Sequence, residues 1–134
     1  SAAIDTPVNR RFVKEFRTKY GKVPGYYAEA SYTAARWINE AAKVVGGNVE
    51  DKEKFLAALR RVEISDAPRG PIKLDAYANP IETVYVRKVE RKDGELWNTV
   101  IQTFPAISQF WKYKPEEFLK QPVYDRNNPA CKYC

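Results

Sequence analysis

Apolar residues recur at helical spacing in three segments of the first half of the chain. Between Pro7 and Tyr20, Phe12, Phe16 and Tyr20 return every fourth residue with Val13 beside them, which predicts an amphipathic helix. Thr6 is placed to cap it, Pro7 suits a first turn where a missing N–H costs nothing, and Gly21 stops it. A second helix is predicted over about Ala28 to Val45, where many alanines favour helix and permit close approach to neighbours. Tyr32, Ala35, Ile38, Ala42 and Val45 form one face, widened by Trp37, Ala41 and Val44, so this helix is expected to be well buried. Gly46-Gly47 ends it. A third helix is predicted over about Val49 to Arg61, with Asn48 or Asp51 near its start and Phe55, Leu56, Leu59 and Val62 inward. Glu50, Asp51 and Glu53 near its beginning and Arg60 and Arg61 in its last turn complement the helix dipole.

The pattern then changes. Pro68-Arg69-Gly70-Pro71 breaks the helical period, Ile72-Lys73-Leu74 reads as a short strand, and Ala76 to Pro80 as a turn. Ile81 to Glu90 and Leu96 to Phe104 are rich in Val, Thr and aromatic residues and predict two strands. The Asp93-Gly94 pair between them fits a two-residue type I′ hairpin turn. Apolar and charged residues mix on both faces of this hairpin, so neither face is assigned to the core. Beyond Pro105 the chain is irregular and aromatic, with Pro115 to Leu119 able to add one helical turn.

Composition narrows the function classes. The 134 residues are 44% hydrophobic and 30% charged, as in a soluble globular domain with its own core. No stretch approaches the roughly 20 apolar residues that span a bilayer. Ser1 leads into a polar segment, so the chain as it stands is not expected to begin with a signal peptide, which does not by itself place it in the cytoplasm. The net charge of +6 comes from 23 basic and 17 acidic residues of interspersed sign, the pattern of a solvated face, and no nucleic-acid partner is expected. Histidine is absent, which removes the commonest general base and metal ligand and every Ser-His or Cys-His arrangement within the chain. The chain reads as non-enzymatic, without a metal or cofactor.

The elements in order resemble the last third of a type I periplasmic substrate-binding protein of an ABC transporter, of the leucine/isoleucine/valine-binding family. The resemblance is carried by Asp5-Thr6-Pro7-x-Asn9-x-x-Phe12-Val13-x-x-Phe16, Lys19-Tyr20-Gly21-x-x-Pro24, Tyr27-Ala28-x-x-Ser31-Tyr32-x-Ala34, Ala57-Ala58-Leu59 and Gly70-Pro71-Ile72-x-Leu74-Asp75. The ending from Ser108-Gln109-Phe110-Trp111 to Cys134 is similar to one branch of that family. The resemblance implies an α/β fold of two lobes with a ligand cleft between them, present here only as a C-terminal fragment: three helices, a β-hairpin and an irregular aromatic tail. It assigns residues 1–67 to the helical part of the N-terminal lobe, 68–80 to the last hinge crossing, and 81–134 to the hairpin and tail of the C-terminal lobe. It further implies a bacterial, periplasmic or extracytoplasmic receptor for an amino acid of branched-chain type or a related aromatic or aliphatic carboxylate. Such a receptor delivers its ligand to an ABC permease. The alternative is a small basic interaction module that binds protein or nucleic acid through the aromatic hairpin and tail. Helices with broad apolar faces and no sheet of their own must cover those faces, so the isolated chain is expected to oligomerise, exchange elements or represent a proteolytic piece.

The resemblance also points to Tyr27, whose family counterpart lines the cleft and packs on the ligand side chain, and to its neighbour Tyr26. An aromatic wall offers large contact at little conformational cost. The alternative is that both tyrosines are packing residues at a helix start. Glu29 and Ser31 lie at the same entrance, within reach of a ligand's polar groups, but read rather as surface or capping residues, and Asp75 as a residue that bonds the local backbone. Cys131-x-x-Cys134 supplies half of a zinc set and ends the chain, so it reads as a structural disulfide or a pair of free thiols.

Overall fold

The computed structural model describes residues 2–122, so Cys131 and Cys134 lie outside the described residues. Helix α1 spans Pro7–Tyr20 as the pattern predicts. The Thr6 hydroxyl oxygen accepts the Asn9 N–H at 3.2 Å, and Gly21, at φ 66°, closes the helix with its N–H on the Arg17 carbonyl. Asn9 is 2% exposed, and its side-chain amide donates to the Ile4 carbonyl at 2.8 Å, which ties the incoming segment to the first turn. This gives a structural reason for an asparagine at that place in the Asp5-Thr6-Pro7 phrase.

Helix α2 spans Tyr26–Val44, two residues earlier than the alanine pattern suggests, with Gly25 as N-cap. Helix α3 spans Lys52–Arg61, capped by the Asp51 carboxylate on the Lys54 N–H. The two helices meet through small residues. Ala41 is fully buried and Ala58 nearly so, and with Val62, Ile64 and Ala67 they form a core flanked by Trp37, Val45, Phe55, Leu59 and Ile72. The indole N–H of Trp37 donates to the Leu59 carbonyl at 2.8 Å, satisfying an acceptor in the last turn of α3.

The expectation that α2 is well buried does not hold among the described residues: Ile38 is 55% and Val44 72% exposed. Glu29, Thr33 and Ala41, at multiples of four residues, are the buried row instead. Helical periodicity identifies apolar positions, but which of them are covered depends on the neighbours. Tyr32 packs against α1, its ring centroid 4.9 Å from that of Phe12.

After α3 the chain builds an antiparallel sheet in the order β1-β2-β3-β4 from Glu63–Ile64, Ile72–Leu74, Pro80–Lys92 and Glu95–Ile107. Strand β1 was not expected; at two residues it is too short to show an alternation. Strand β2 joins the hairpin through Lys73↔Ile81, so the hairpin grows from a meander rather than standing alone. Asp93 and Gly94 both adopt positive φ, 49° and 82°, as the type I′ turn requires. The outer part of the hairpin carries exposed Val89 and Leu96, in keeping with its mixed pattern. Beyond β4, Phe110 is buried and packs edge-on against Tyr77 and Phe118, while Gln109 donates to the Asp75 carboxylate at 2.8 Å. The single helical turn is α4, Pro115–Phe118. The aromatic segment is thereby strapped onto the Asp75–Asn79 turn. Order and type of the elements agree with the expected three helices, hairpin and irregular aromatic segment.

Candidate functional site

Starting α2 at Tyr26 places both candidate tyrosines in its first turn. Their rings meet edge to face with centroids 5.5 Å apart. Tyr26 is 58% and Tyr27 82% exposed, so neither is a core packing residue among the described residues. Gly25 brings no side chain to cap the helix, and the first-turn N–H groups form the positive end of its dipole beside the two rings.

Behind the rings lies a charged cluster. Arg69, in the segment between β1 and β2, has a side chain only 12% exposed. Its Nε donates to Glu29 Oε2 at 2.6 Å and its Nη1 donates to Glu82 Oε2 at 2.6 Å. Nη2 sits 2.5 Å from the same Glu29 oxygen, a Coulombic contact whose angle makes no hydrogen bond, so that nitrogen has no hydrogen-bond partner among the described residues. Glu29 also accepts from the Thr33 hydroxyl at 2.6 Å. The surface reading of Glu29 is therefore overturned: it is 6% exposed and its charge is balanced by Arg69. Burial by itself lowers the Arg69 pKa, but hydrogen bonds and charge from Glu29 and Glu82 outweigh it and raise the pKa above its ordinary value.

The backbone around Arg69 is equally constrained. The Tyr85 hydroxyl donates to the Arg69 carbonyl at 2.8 Å, and burial pushes the phenol pKa up. Gly70 has φ 104°, and a Cβ there would stand 3.3 Å from the Tyr85 oxygen, so both conformation and space favour glycine. The Arg69 guanidinium carbon lies over the Tyr26 ring, 5.3 Å from its centroid. Tyr26, Glu29, Arg69, Glu82, Arg87 and Ile4 line part of a cavity of about 160 Å³. One site thus unites the first turn of α2, the turn before β2 and the start of β3.

Ser31 is exposed and not part of this cluster. Asp75 accepts from the N–H groups of Tyr77 and Asn79, as the sequence suggests. Sequence reasoning missed the cluster itself. Glu29 and Arg69 are 40 residues apart, and no period or motif links them. The available signal was a charge on the side of α2 that also carries Thr33 and Trp37, beside a turn with a lone arginine. Among the described residues no group of acidic, histidine or cysteine side chains is arranged for a metal ion, and no helix is long and apolar enough to cross a membrane.

The model of a family described as periplasmic binding protein matches residues 1–95. No curated protein matches the chain. Among solved structures, the chain is similar to an ABC transporter substrate-binding protein from Sphaerobacter thermophilus, with 34% identity and a TM-score of 0.73 over 78% of this chain and 29% of that one. It is similar to a solute-binding protein of an ABC transporter from Rhodopseudomonas palustris BisB5, solved in complex with 3,4-dihydroxybenzoic acid, with 34% identity and a TM-score of 0.75 over 81% of this chain and 30% of that one. An ABC-type branched-chain amino acid transporter from Rhodopseudomonas palustris CGA009 shares the fold at 18% identity and a TM-score of 0.61, over 76% of this chain and 28% of that one. The chain spans less than a third of the length of each of these structures.

Proposed function

The chain belongs to the periplasmic binding protein family, and on that premise we propose that it is the C-terminal part of an extracytoplasmic solute-binding receptor serving an ABC importer. The receptor is bacterial and non-enzymatic, and it works by closing two lobes on a small carboxylate and handing it to a permease. In this reading residues 1–67 belong to the N-terminal lobe, 68–80 form the last hinge crossing, and 81–134 associate with the C-terminal lobe.

The observation that carries the ligand assignment is the exposed Tyr26–Tyr27 pair at the N-terminal end of α2. Its ring faces and edges suit contact with another ring or an apolar side chain, and the helix end beside them suits a negative charge. The cavity of about 160 Å³ is smaller than the roughly 300 Å³ at which ligand sites begin. That supports one wall of a cleft whose remainder comes from residues outside this chain. Two ligand classes fit the wall: a branched-chain amino acid, as the family resemblance implies, or a benzoate-type aromatic carboxylate. The second is favoured because a 34% identical relative, that from Rhodopseudomonas palustris BisB5, was solved with a dihydroxybenzoic acid, whereas the branched-chain relative is 18% identical.

Titration calorimetry of the two-lobed protein that carries this chain, with benzoate and with leucine, tests the reading. Binding of benzoate is expected, with Tyr27→Ala weakening it about tenfold, the scale of one lost aromatic contact. Leucine binding in place of benzoate would reassign the ligand class. Unchanged affinity in Tyr27→Ala would take Tyr27 out of the wall.

A further inference from the structure

We infer that Arg69 is a positioning residue for the ligand wall, holding the Tyr26 ring in place and, through its edge-to-face contact, the Tyr27 ring. The inference rests on the reading of Tyr26 and Tyr27 as that wall. An exposed tyrosine at a helix start samples several rotamers unless something fixes it, and a wall that moves loses binding free energy each time a ligand immobilises it. Tyr26 is 58% exposed, so general packing does not fix it. A cation over the ring does: the Arg69 guanidinium carbon lies 5.3 Å from the Tyr26 centroid, within the range of cation–π attraction.

The cation is itself immobile. Glu29 takes Nε and Glu82 takes Nη1, so the guanidinium is gripped by carboxylates from two different elements. Glu29 stands three residues beyond Tyr26, on the same side of α2, which brings the arginine back beside the ring on its own helix. The Arg69 backbone is fixed as well, by the Tyr85 hydroxyl on its carbonyl and by the confined Gly70 that follows. Lysine cannot reproduce this arrangement. A single ammonium has neither the planar fork that joins two carboxylates nor the flat face that stacks on a ring. The same contacts tie the wall to the turn entering β2 and to β3, so the position of the rings depends on the position of that chain segment.

The test is a double-mutant cycle in the two-lobed protein, with benzoate as probe and near-ultraviolet tyrosine dichroism as a second readout that needs no ligand. Arg69→Lys keeps the positive charge between Glu29 and Glu82. It is expected to weaken benzoate binding about threefold to thirtyfold, the span of a cation–π contact between exposed and desolvated settings. It should also reduce the tyrosine dichroism. Tyr26→Leu is expected to give a similar loss, and the Arg69→Lys, Tyr26→Leu double variant no more than the larger single loss, because the arginine acts through the ring. Should Arg69→Lys fail to fold, Glu82→Gln, which leaves Arg69 paired to Glu29, gives the same cycle with a smaller amplitude. Additive losses, or a dichroism signal unchanged by Arg69→Lys but changed by Tyr26→Leu, would overturn the inference and leave the wall intact. Unchanged benzoate affinity in both Tyr26→Leu and Tyr27→Ala would instead defeat the wall itself.

Discussion

Replacing Arg69 by methionine isolates the energetics of the charged cluster. The substitution keeps most of the apolar stem and removes the guanidinium, so Glu29 and Glu82 lose their common counter-charge. The Glu29 side chain is 7% exposed and cannot rehydrate in place, whereas that of Glu82 is 26% exposed and can do so in part. Breaking a buried pair by removing one partner costs about 3–5 kcal/mol, and the partial exposure of Glu82 puts this case near 3 kcal/mol. With a urea dependence of about 2 kcal/mol per M, the unfolding midpoint should fall by about 1.5 M. Combining Arg69→Met with Glu29→Gln and Glu82→Gln removes the stranded charges, and this triple variant should return to within about 1 kcal/mol of the parent. Because the Arg69 pKa is raised in the folded state, its contribution is fully present below the ordinary arginine value and is lost only as pH rises through the higher folded-state one, so the cost should persist at mildly alkaline pH. The assay is urea unfolding followed by far-ultraviolet dichroism. A midpoint within about 0.3 M of the parent for Arg69→Met, or a triple variant no more stable than the single one, would refute the view that burial makes this pairing necessary.

Trp37→Phe keeps the ring but strands the Leu59 carbonyl now bonded at 2.8 Å, and should cost about 1–2 kcal/mol in the same unfolding assay with an unchanged slope; a neutral result would mean that water replaces the indole. The Asp75 carboxylate is held below its ordinary pKa chiefly by the Asn79 N–H, with the Gln109 amide and the Tyr77 N–H offsetting the opposing effect of desolvation. Its stabilising effect is therefore present above the unfolded-state pKa of about 3.9 and is lost as pH falls through the lower folded-state value. The stability gap between parent and Asp75→Asn should accordingly narrow below about pH 4, and a gap that is constant with pH would count against those hydrogen bonds. With Ile38 at 55%, Val44 at 72% and Leu56 at 49% exposure, the isolated chain should self-associate in sedimentation velocity, in proportion to its concentration; a sharp monomer boundary at all concentrations would show that these faces are tolerated in water.

What the sequence alone determined is the local chemistry. Thr6 with Pro7, Asp51 before α3 and Asp93-Gly94 between β3 and β4 fix where elements begin and turn, because capping and turn conformation depend on residues within four positions of one another. The order of phrases also brought the family within reach before any coordinates. Tertiary structure decided which side of α2 is covered, that β2 joins the hairpin, and that Glu29, Arg69 and Glu82 meet behind Tyr26. The Arg69 contacts to Glu29 and Glu82 join residues 40 and 13 positions apart, and a charge that looks solvated in a linear pattern becomes buried only when a partner from another element balances it. Periodicity has no access to that pairing, because the balance is struck in space and not along the chain.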